Sequence, residues 1–250
     1  MNKQLVYILT CLCLAYITSV CAESENITLD RAPDRVHNLP ALQHGAKLFV
    51  NYCLNCHAAS SMRYSRLHDL GLTDAQIKDN LLFTGDKVGD LMQNTMLPKD
   101  AKEWFAAAPP DLSVIARARG VDWLYTYLRS YYRDDTRPTG WNNLVFPNVA
   151  MPHVLWELQG ERIAKFQDVP NSDDPSQIEH RFVGFEQVTP GKLKPIEYDE
   201  AVADLVAFLN WMGEPVQNTR RRLGVWVLLF IGVFFVLAWR LNAAYWKDVK

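Results

Sequence analysis

The chain is poor in cysteine and has no excess of charge of either sign. Its 250 residues contain five cysteines, three of which precede Ala22. If these three are removed with an N-terminal signal, Cys53 and Cys56 are left, and two cysteines can form at most one disulfide. A scaffold held by several disulfides is therefore excluded. The formal net charge is −2, and no basic stripe precedes Arg220, which argues against a nucleic-acid-binding protein. Internal repeats and low-complexity segments are also lacking, and the length suits one or two domains.

The N-terminal residues have the features of an export signal. A short positive region at Met1 to Lys3 precedes a largely apolar run from Leu5 to Val20, and small residues end that run. We predict that residues 1–22 are a cleaved signal peptide, which leaves Cys53 and Cys56 in the mature chain. A retained membrane anchor is the alternative, because a run of roughly 16 apolar residues approaches the length of a membrane span.

A second apolar segment lies near the C-terminus. No charged residue interrupts the run from Leu223 to Trp239. As a helix it would cover about 26 Å, and snorkelling by Arg240 would let it reach across a hydrocarbon core of roughly 30 Å. We therefore predict a transmembrane anchor at residues 220–243. A buried core helix is the alternative, although such helices seldom lack a polar face over this length.

The orientation of this anchor does not follow from its flanking charges. Basic residues stand on both sides of it, so the positive-inside rule gives no direction. An exported N-terminus supplies one, because residues 23–219 would then lie in the periplasm and residues 244–250 would form a short cytoplasmic tail. This predicts a single-pass protein of a bacterial inner membrane.

Hydrophobic periodicity between these ends is mostly helical. Four helices are predicted: one beginning near Pro40 with Asn38 as its cap, and others over 112–119, 122–132 and 198–212. The stretch 136–194 is rich in proline, glycine, asparagine and aspartate and has little periodicity, so we predict a long ordered loop with at most a few short strands. Such a loop is usually functional, here as a wrapping around a large flat cofactor.

The segment Cys53-Leu54-Asn55-Cys56-His57 is a C-x-x-C-H motif, the attachment signature of a c-type haem. Cysteines three apart on a helical turn face the same way, so both thiols can bond to one porphyrin edge while the adjacent histidine reaches the iron. A single disulfide, a thioredoxin-like redox pair and half of a zinc site are alternatives. No βαβ pattern surrounds the pair and no second C-x-x-C or H-x-x-x-H follows, so we predict one haem c attached through two thioethers.

The ligand on the opposite side of the iron is a separate question. A methionine thioether is expected, because Met/His ligation raises the reduction potential and a filled sixth position discourages oxygen chemistry. Met62 is too close to His57 in sequence to cross the ring. Met92, Met96 and Met151 all remain, together with several histidines, and spacing alone does not choose among them.

Several stretches resemble the cytochrome c1 family. They are Cys53 to His57, Pro109 to Ser113 followed by Arg117-Ala118-Arg119, Met151-Pro152 after Trp141, and Phe208 to Trp211 with Glu214-Pro215 before the apolar run. With the export signal and the C-terminal anchor, they span nearly the whole chain in the order that the family has.

The resemblance implies roles for individual residues. It implies that Met151 is the sixth ligand, that Pro110 lies near the haem, and that Arg119, in preference to Arg117, pairs with a haem propionate. A partly buried carboxylate needs a cation, and arginine offers a rigid donor fork. One departure is His153 directly after Met151-Pro152, where relatives place another residue before the proline, so His153 is a minor rival ligand.

The resemblance also implies a fold and a function. The fold would be mainly α, a cytochrome c-like haem domain with long loop insertions plus one C-terminal transmembrane helix. The chain would be the electron-transfer subunit of a dimeric cytochrome bc1 complex in membrane lipid, beside cytochrome b. It would receive electrons from the Rieske iron-sulfur protein and pass them to a soluble or tethered cytochrome c, with no catalytic site of its own.

Three other functions compete with this one. They are a free-standing anchored cytochrome c that feeds a terminal oxidase, a haem peroxidase and a thiol-disulfide oxidoreductase. Residues 161–200 contain nine Asp or Glu against five Lys or Arg. This segment is either a docking face for a basic cytochrome or an ordinary solvated loop.

Overall fold

A computed structural model of the protein describes residues 27–170 and 178–247, and the predicted signal peptide lies outside these residues. The fold is mainly α, as predicted. The α-helices are α1 (Leu39–Leu48), α2 (Asp74–Asn80), α3 (Pro98–Phe105), α4 (Ile115–Arg119), α5 (Val121–Arg129), α6 (Trp156–Gln159), α7 (Pro195–Gly213) and α8 (Gln217–Tyr245). The strands are β1 (Ala59–Arg63), β2 (Leu91–Met92), β3 (Tyr131–Arg133), β4 (Trp141–Asn143), β5 (Gly160–Pro170) and β6 (Ile178–Pro190).

The strands form three separate two-stranded antiparallel sheets, each from strands that are neighbours along the chain. β1 pairs with β2, β3 pairs with β4, and β5 pairs with β6. Each sheet is therefore a single pair of strands on a helical domain, and helices build most of the core.

The packing of α1 against α7 is the centre of the core. Asn38 caps α1 as predicted, because its side chain accepts a hydrogen bond of 3.2 Å from the Ala41 backbone N–H. A Cβ on Gly45 would overlap the Asp204 carbonyl oxygen and lie 2.7 Å from Phe208 Cβ, so only glycine allows this approach of the two helices. Helix α1 ends at Leu48 in this pair, and the cysteine motif follows from Cys53.

The two predicted helices in the middle of the chain are shorter than expected. Helix α4 begins at Ile115 rather than at Leu112, because the Leu112 N–H donates outside the helix, to the Ala58 carbonyl at 2.8 Å, and residues 113–114 form a turn. Helix α5 ends at Arg129, and Tyr131 pairs with Asn143 in a sheet. Aromatic residues favour strands, which is the physical reason for this early end.

The prediction of a long loop with few strands over 136–194 is wrong in part. Residues 160–170 and 178–190 form a long antiparallel hairpin. Bulges between Glu161 and Arg162 and between Lys165 and Phe166 shift the register. Each bulge reverses the alternation of side chains between the two faces, so the sequence shows no sustained period of two.

Arg162 attaches this hairpin to the helical domain. Its guanidinium donates to the Tyr131 carbonyl at 2.9 Å and to the Arg129 carbonyl, and it lies 3.6 Å from the centre of the Phe185 ring. Burial lowers the pKa of Arg162 to about 10. A half-buried cation is therefore satisfied by backbone carbonyls and an aromatic face.

Helix α8 is the one helix, among the described residues, that is long and apolar enough to cross a membrane. Within its span Thr219–Tyr245, an 18-residue window has a mean hydropathy of 2.2 and contains no buried residue. At 1.5 Å per residue the span is about 40 Å long, which exceeds a hydrocarbon core of roughly 30 Å. Helix α8 therefore fits a single-pass membrane anchor.

Candidate functional site

The cysteine motif lies where α1 ends. The helix widens into a π-helical turn at Phe49–Cys53, and the N–H groups of Cys56 and His57 donate to the Cys53 carbonyl at 3.1 and 2.9 Å. Such π turns occur frequently at functional sites. Both cysteines are free, and both line the same cavity as His57. The local backbone therefore brings the two thiols and the imidazole to one face.

The thiols have the properties of buried cysteines. Burial raises the pKa of Cys53 to about 12 and also raises the pKa of Cys56. A thioredoxin-like pair needs a lowered thiol pKa, so this environment does not favour a redox dithiol. The described residues contain no group of three or more His, Cys, Asp or Glu that could hold a metal ion, so partner ligands for a zinc site are not in place there.

His57 is held in a single orientation. Its Nδ1 lies 2.7 Å from the Pro110 carbonyl oxygen, and because a carbonyl only accepts, Nδ1 carries the proton. The unprotonated Nε2 is then available as a ligand. Burial lowers the pKa of His57, partly offset by this hydrogen bond and by Asp111, so the ring is neutral at physiological pH. Histidines that bind iron or zinc typically donate such a hydrogen bond from the ring nitrogen that does not bind the metal.

The cavity beside the motif is large and mostly apolar. Its volume is about 390 Å³, within the range of roughly 300–1,000 Å³ for ligand pockets. Its walls come from six parts of the chain, namely the motif, the segment around Pro109 and Pro110, α4, α5, α7, and the segment around Met151. Leu205 and Leu209, on the α7 helix that packs on α1, form part of one wall.

Met151 is the predicted ligand that the structure brings to this cavity. Met62 and Met92 are buried in the core and Met96 is half-buried, and none of these three is part of the cavity lining. The Sδ atom of Met151 accepts a hydrogen bond from the Tyr127 hydroxyl at 3.5 Å. The methionine and His57 thus share one cavity although they are far apart in sequence.

His153, the minor rival for the sixth position, is directed elsewhere. It is 2% exposed and is not part of the cavity lining. Its ring stacks on Tyr131 at 4.9 Å between centroids and meets the edge of Trp141 at 5.1 Å. Burial lowers the pKa of His153 to about 3. The ring therefore acts as a neutral packing group behind the segment that contains Met151.

Pro110 is fixed beside His57 by a set of polar contacts. Asp111 accepts hydrogen bonds from the Ser60 N–H at 2.8 Å, the Ser60 hydroxyl at 2.7 Å and the Ser113 N–H at 2.8 Å. Burial alone would raise the pKa of Asp111, but its hydrogen bonds with Ser60 and Ser113 outweigh that effect and lower the pKa. The Pro110 carbonyl that orients His57 is thus held by this anchored segment.

The two arginines of α4 differ in what they contact. Arg119 lines the cavity, with its guanidinium carbon 5.1 Å from the centre of the Trp123 ring and 6.0 Å from that of Phe146. Arg117 instead forms an ion pair of 3.0 Å with Glu214, at the junction with α8. Arg119 is therefore placed to meet an anionic group at the cavity, whereas Arg117 is already paired.

Sequence reasoning missed several residues of the site. None of the sequence motifs includes Tyr127, yet its hydroxyl contacts Met151. Tyr127 lies four residues from both Trp123 and Tyr131, and on a helix this spacing places the three rings on one face. That spacing was the available signal. Asn94 donates to the Cys56 carbonyl, and no local pattern predicts that contact.

The site fits a haem c. Two free thiols share a face, an imidazole with its Nδ1 proton engaged presents a free Nε2, a thioether lies on the same cavity, and the walls are apolar. These are the donors and the surroundings that a c-type haem with Met/His ligation requires.

Comparison with known proteins agrees with this assignment. A model of the Cytochrome C1 family matches residues 32–249. Cytochrome c1 of Allochromatium vinosum is 46% identical over 233 residues, covering 93% of this chain and 94% of that protein. A protein of Nitrosomonas europaea named ammonia monooxygenase gamma subunit is 45% identical over 228 residues, covering 91% and 92%. Cytochrome c1 of Rhodospirillum rubrum is 28% identical over 247 residues, covering 86% and 84%.

Proposed function

The chain belongs to the cytochrome c1 family, and from that membership we propose that it is the membrane-anchored haem c subunit of a cytochrome bc1 complex. The family supports a haem-bearing electron-transfer subunit. The observation that carries the proposal is the C-x-x-C-H motif at an apolar cavity that also contains Met151. When bound, the haem supplies a one-electron Fe(III)/Fe(II) couple.

We assign the following roles to the residues of the site. Cys53 and Cys56 would form the two thioethers, and His57 and Met151 would bind the iron. The hydrogen bond between His57 Nδ1 and the Pro110 carbonyl fixes the ring and makes Nε2 a better donor. The apolar walls exclude water, which is one of the levers by which a protein sets the potential of a haem.

In this proposal Arg119 pairs with a negatively charged propionate of the haem. A haem carries two propionate groups, and a carboxylate at an apolar cavity needs a cation. Arg119 stands at the cavity and is held there by the faces of Trp123 and Phe146. Arg117, which is paired with Glu214, is the weaker candidate.

The membrane arrangement follows from α8 and from the predicted export signal. Residues 1–22 are cleaved, residues 23–219 form a periplasmic haem domain, residues 220–243 are the anchor, and residues 244–250 form a short cytoplasmic tail. The host membrane is a bacterial inner membrane. The apolar span of α8 supports the anchor.

The proposed partners are those of a quinol-oxidising complex. Cytochrome b handles the quinol, the Rieske iron-sulfur protein delivers electrons to this chain, and a soluble or tethered cytochrome c receives them, within a dimeric complex. A free-standing anchored cytochrome c that feeds a terminal oxidase is the alternative. The extended match over residues 32–249 favours the complex.

The name of the Nitrosomonas europaea relative raises a second assignment, to an ammonia monooxygenase. That relative is nearly as similar to this chain as the Allochromatium vinosum cytochrome c1. The electron carrier is supported by a cavity whose lining combines the attachment motif with Met151. In this proposal the Met151 thioether fills the sixth position, and a filled position discourages oxygen chemistry.

Purification tests the proposal. The chain is tagged at its C-terminus, solubilised from its own membrane in mild detergent, and purified, and a reduced-minus-oxidised spectrum is recorded. Haem b bands beside haem c bands are expected, at a ratio that persists in a second, gentler detergent. Haem c without haem b in both detergents would contradict membership of the complex, and copurification of an oxygenase would favour the second assignment.

A further inference from the structure

The Met151 sulfur lies at the end of a chain of two tyrosine hydroxyls. The Tyr127 hydroxyl is 3.5 Å from Met151 Sδ and 2.5 Å from the Tyr131 hydroxyl. We propose that Tyr127, supported by Tyr131, is a positioning residue that hydrogen-bonds the sixth ligand and raises the reduction potential of the haem. This inference rests on the proposed function, because it requires Met151 to bind the iron.

The chemistry of the three groups fixes the direction of the hydrogen bonds. A thioether sulfur has no proton to donate, so Tyr127 must donate to Met151. Tyr127 oxygen then accepts from Tyr131, whose hydroxyl has no other partner among the described residues.

Aromatic packing holds both tyrosines in place. Tyr127 stacks on Trp123, with ring centroids 4.7 Å apart and planes inclined by 12°. Tyr131 stacks on His153, with centroids 4.9 Å apart and planes inclined by 7°. His153 follows Met151 by two residues, so the second stack joins Tyr131 to the segment of the ligand.

The expected effect on the haem follows from electron donation by the sulfur. A hydrogen bond withdraws electron density from the thioether, which makes it a weaker donor. The oxidised iron depends more on that donation than the reduced iron, so the hydrogen bond favours the reduced state and raises the potential. Donation from Tyr131 polarises Tyr127 and strengthens its bond to the sulfur, so Tyr131 acts in the same direction but less strongly.

Three tyrosine-to-phenylalanine variants of the full chain test this inference. Tyr127→Phe removes the donor, Tyr131→Phe removes its support, and Tyr125→Phe is the matched control on the same helix. Tyr125 is buried, does not line the cavity, and packs its ring on Arg129 at 4.4 Å. Each variant is purified in mild detergent, its potential is measured by redox titration, and the methionine-to-iron charge-transfer band of the oxidised protein is recorded.

Tyr127→Phe is expected to lower the potential and shift the charge-transfer band, Tyr131→Phe to lower the potential by a smaller amount, and Tyr125→Phe to leave both unchanged. An unchanged potential in Tyr127→Phe, with the band present in the wild type, would overturn this inference and leave the proposed function intact. A wild-type protein without the band would overturn the ligand assignment itself. If Tyr127→Phe does not fold, an unchanged potential in Tyr131→Phe overturns the inference.

Discussion

Replacement of Gly45 by alanine should separate the two helices that position the haem motif. Gly45 lies on α1 where the helix meets the α7 backbone, and a Cβ there would overlap the Asp204 carbonyl oxygen and lie 2.7 Å from Phe208 Cβ. Backbone atoms cannot rotate away as a side chain can, so the helices must move apart. The perturbation therefore acts on the packing of the helix that precedes the cysteine motif.

Two opposing effects determine how much Gly45→Ala changes the free energy of unfolding. Forcing an extra carbon into a packed interface costs about 1–3 kcal/mol, and a clash with backbone belongs at the upper end. Alanine is favoured over glycine inside a helix by about 1 kcal/mol. The net destabilisation is then about 2 kcal/mol, and a chain of this size should lose roughly 4–8 °C in Tm.

Thermal unfolding of the purified holoprotein in detergent, followed by circular dichroism, measures this loss. Gly224→Ala is the matched control, because a Cβ at Gly224 on α8 meets nothing within 4 Å. The control should leave Tm unchanged or slightly raised. A Tm for Gly45→Ala equal to that of the wild type would refute the close packing of α1 on α7.

Three further predictions follow from the charged groups. Arg119→Gln should lower the reduction potential, because a cation beside the haem disfavours Fe(III), whereas Arg117→Gln should leave it unchanged; a redox titration that gives equal shifts would contradict the assignment of Arg119. Arg162→Met should destabilise the protein by about 2–4 kcal/mol in a denaturant titration, because the Tyr131 and Arg129 carbonyls lose their donor. Replacement of the exposed Lys165 by methionine is the control and should not destabilise the protein. A denaturation midpoint for Arg162→Met within error of that control would refute the anchoring role. Asp111 has a lowered pKa in the folded protein, so its contribution to stability is present above the ordinary pKa of about 3.9 and is lost as the pH falls through the folded pKa. Asp111→Asn should therefore make stability depend less on pH on the acid side of the profile. An unchanged slope of stability against pH would contradict this role of Asp111.

Local sequence patterns predicted the elements that depend on local chemistry. The Asn38 cap is confirmed, because a capping side chain and the first turn it satisfies are adjacent in sequence. The predicted helix over 198–212 is confirmed within α7, whose apolar positions recur with helical spacing. The apolar run from Leu223 to Trp239 lies inside α8, as predicted.

The parts that were not predicted depend on contacts between distant residues or on broken patterns. The hairpin at 160–190 has two bulges that interrupt its alternation, so a long strand pair looked like an irregular loop. Spacing left Met92, Met96 and Met151 open, since which methionine reaches the cavity depends on how the chain closes around it. The bond from Tyr127 to Met151 likewise joins residues on a helix and a loop, and no periodicity connects them.

Covalent attachment of haem at the cysteine motif is the central claim, and a denaturing gel tests it most directly. The tagged chain and a Cys53→Ala/Cys56→Ala variant are run side by side, stained for haem by its peroxidase activity, and probed for the tag. Haem that migrates with the wild-type chain under denaturing conditions and is missing from the variant, with both chains present at equal amounts, is the predicted result. Wild-type chain that is present on the gel without haem would contradict the account.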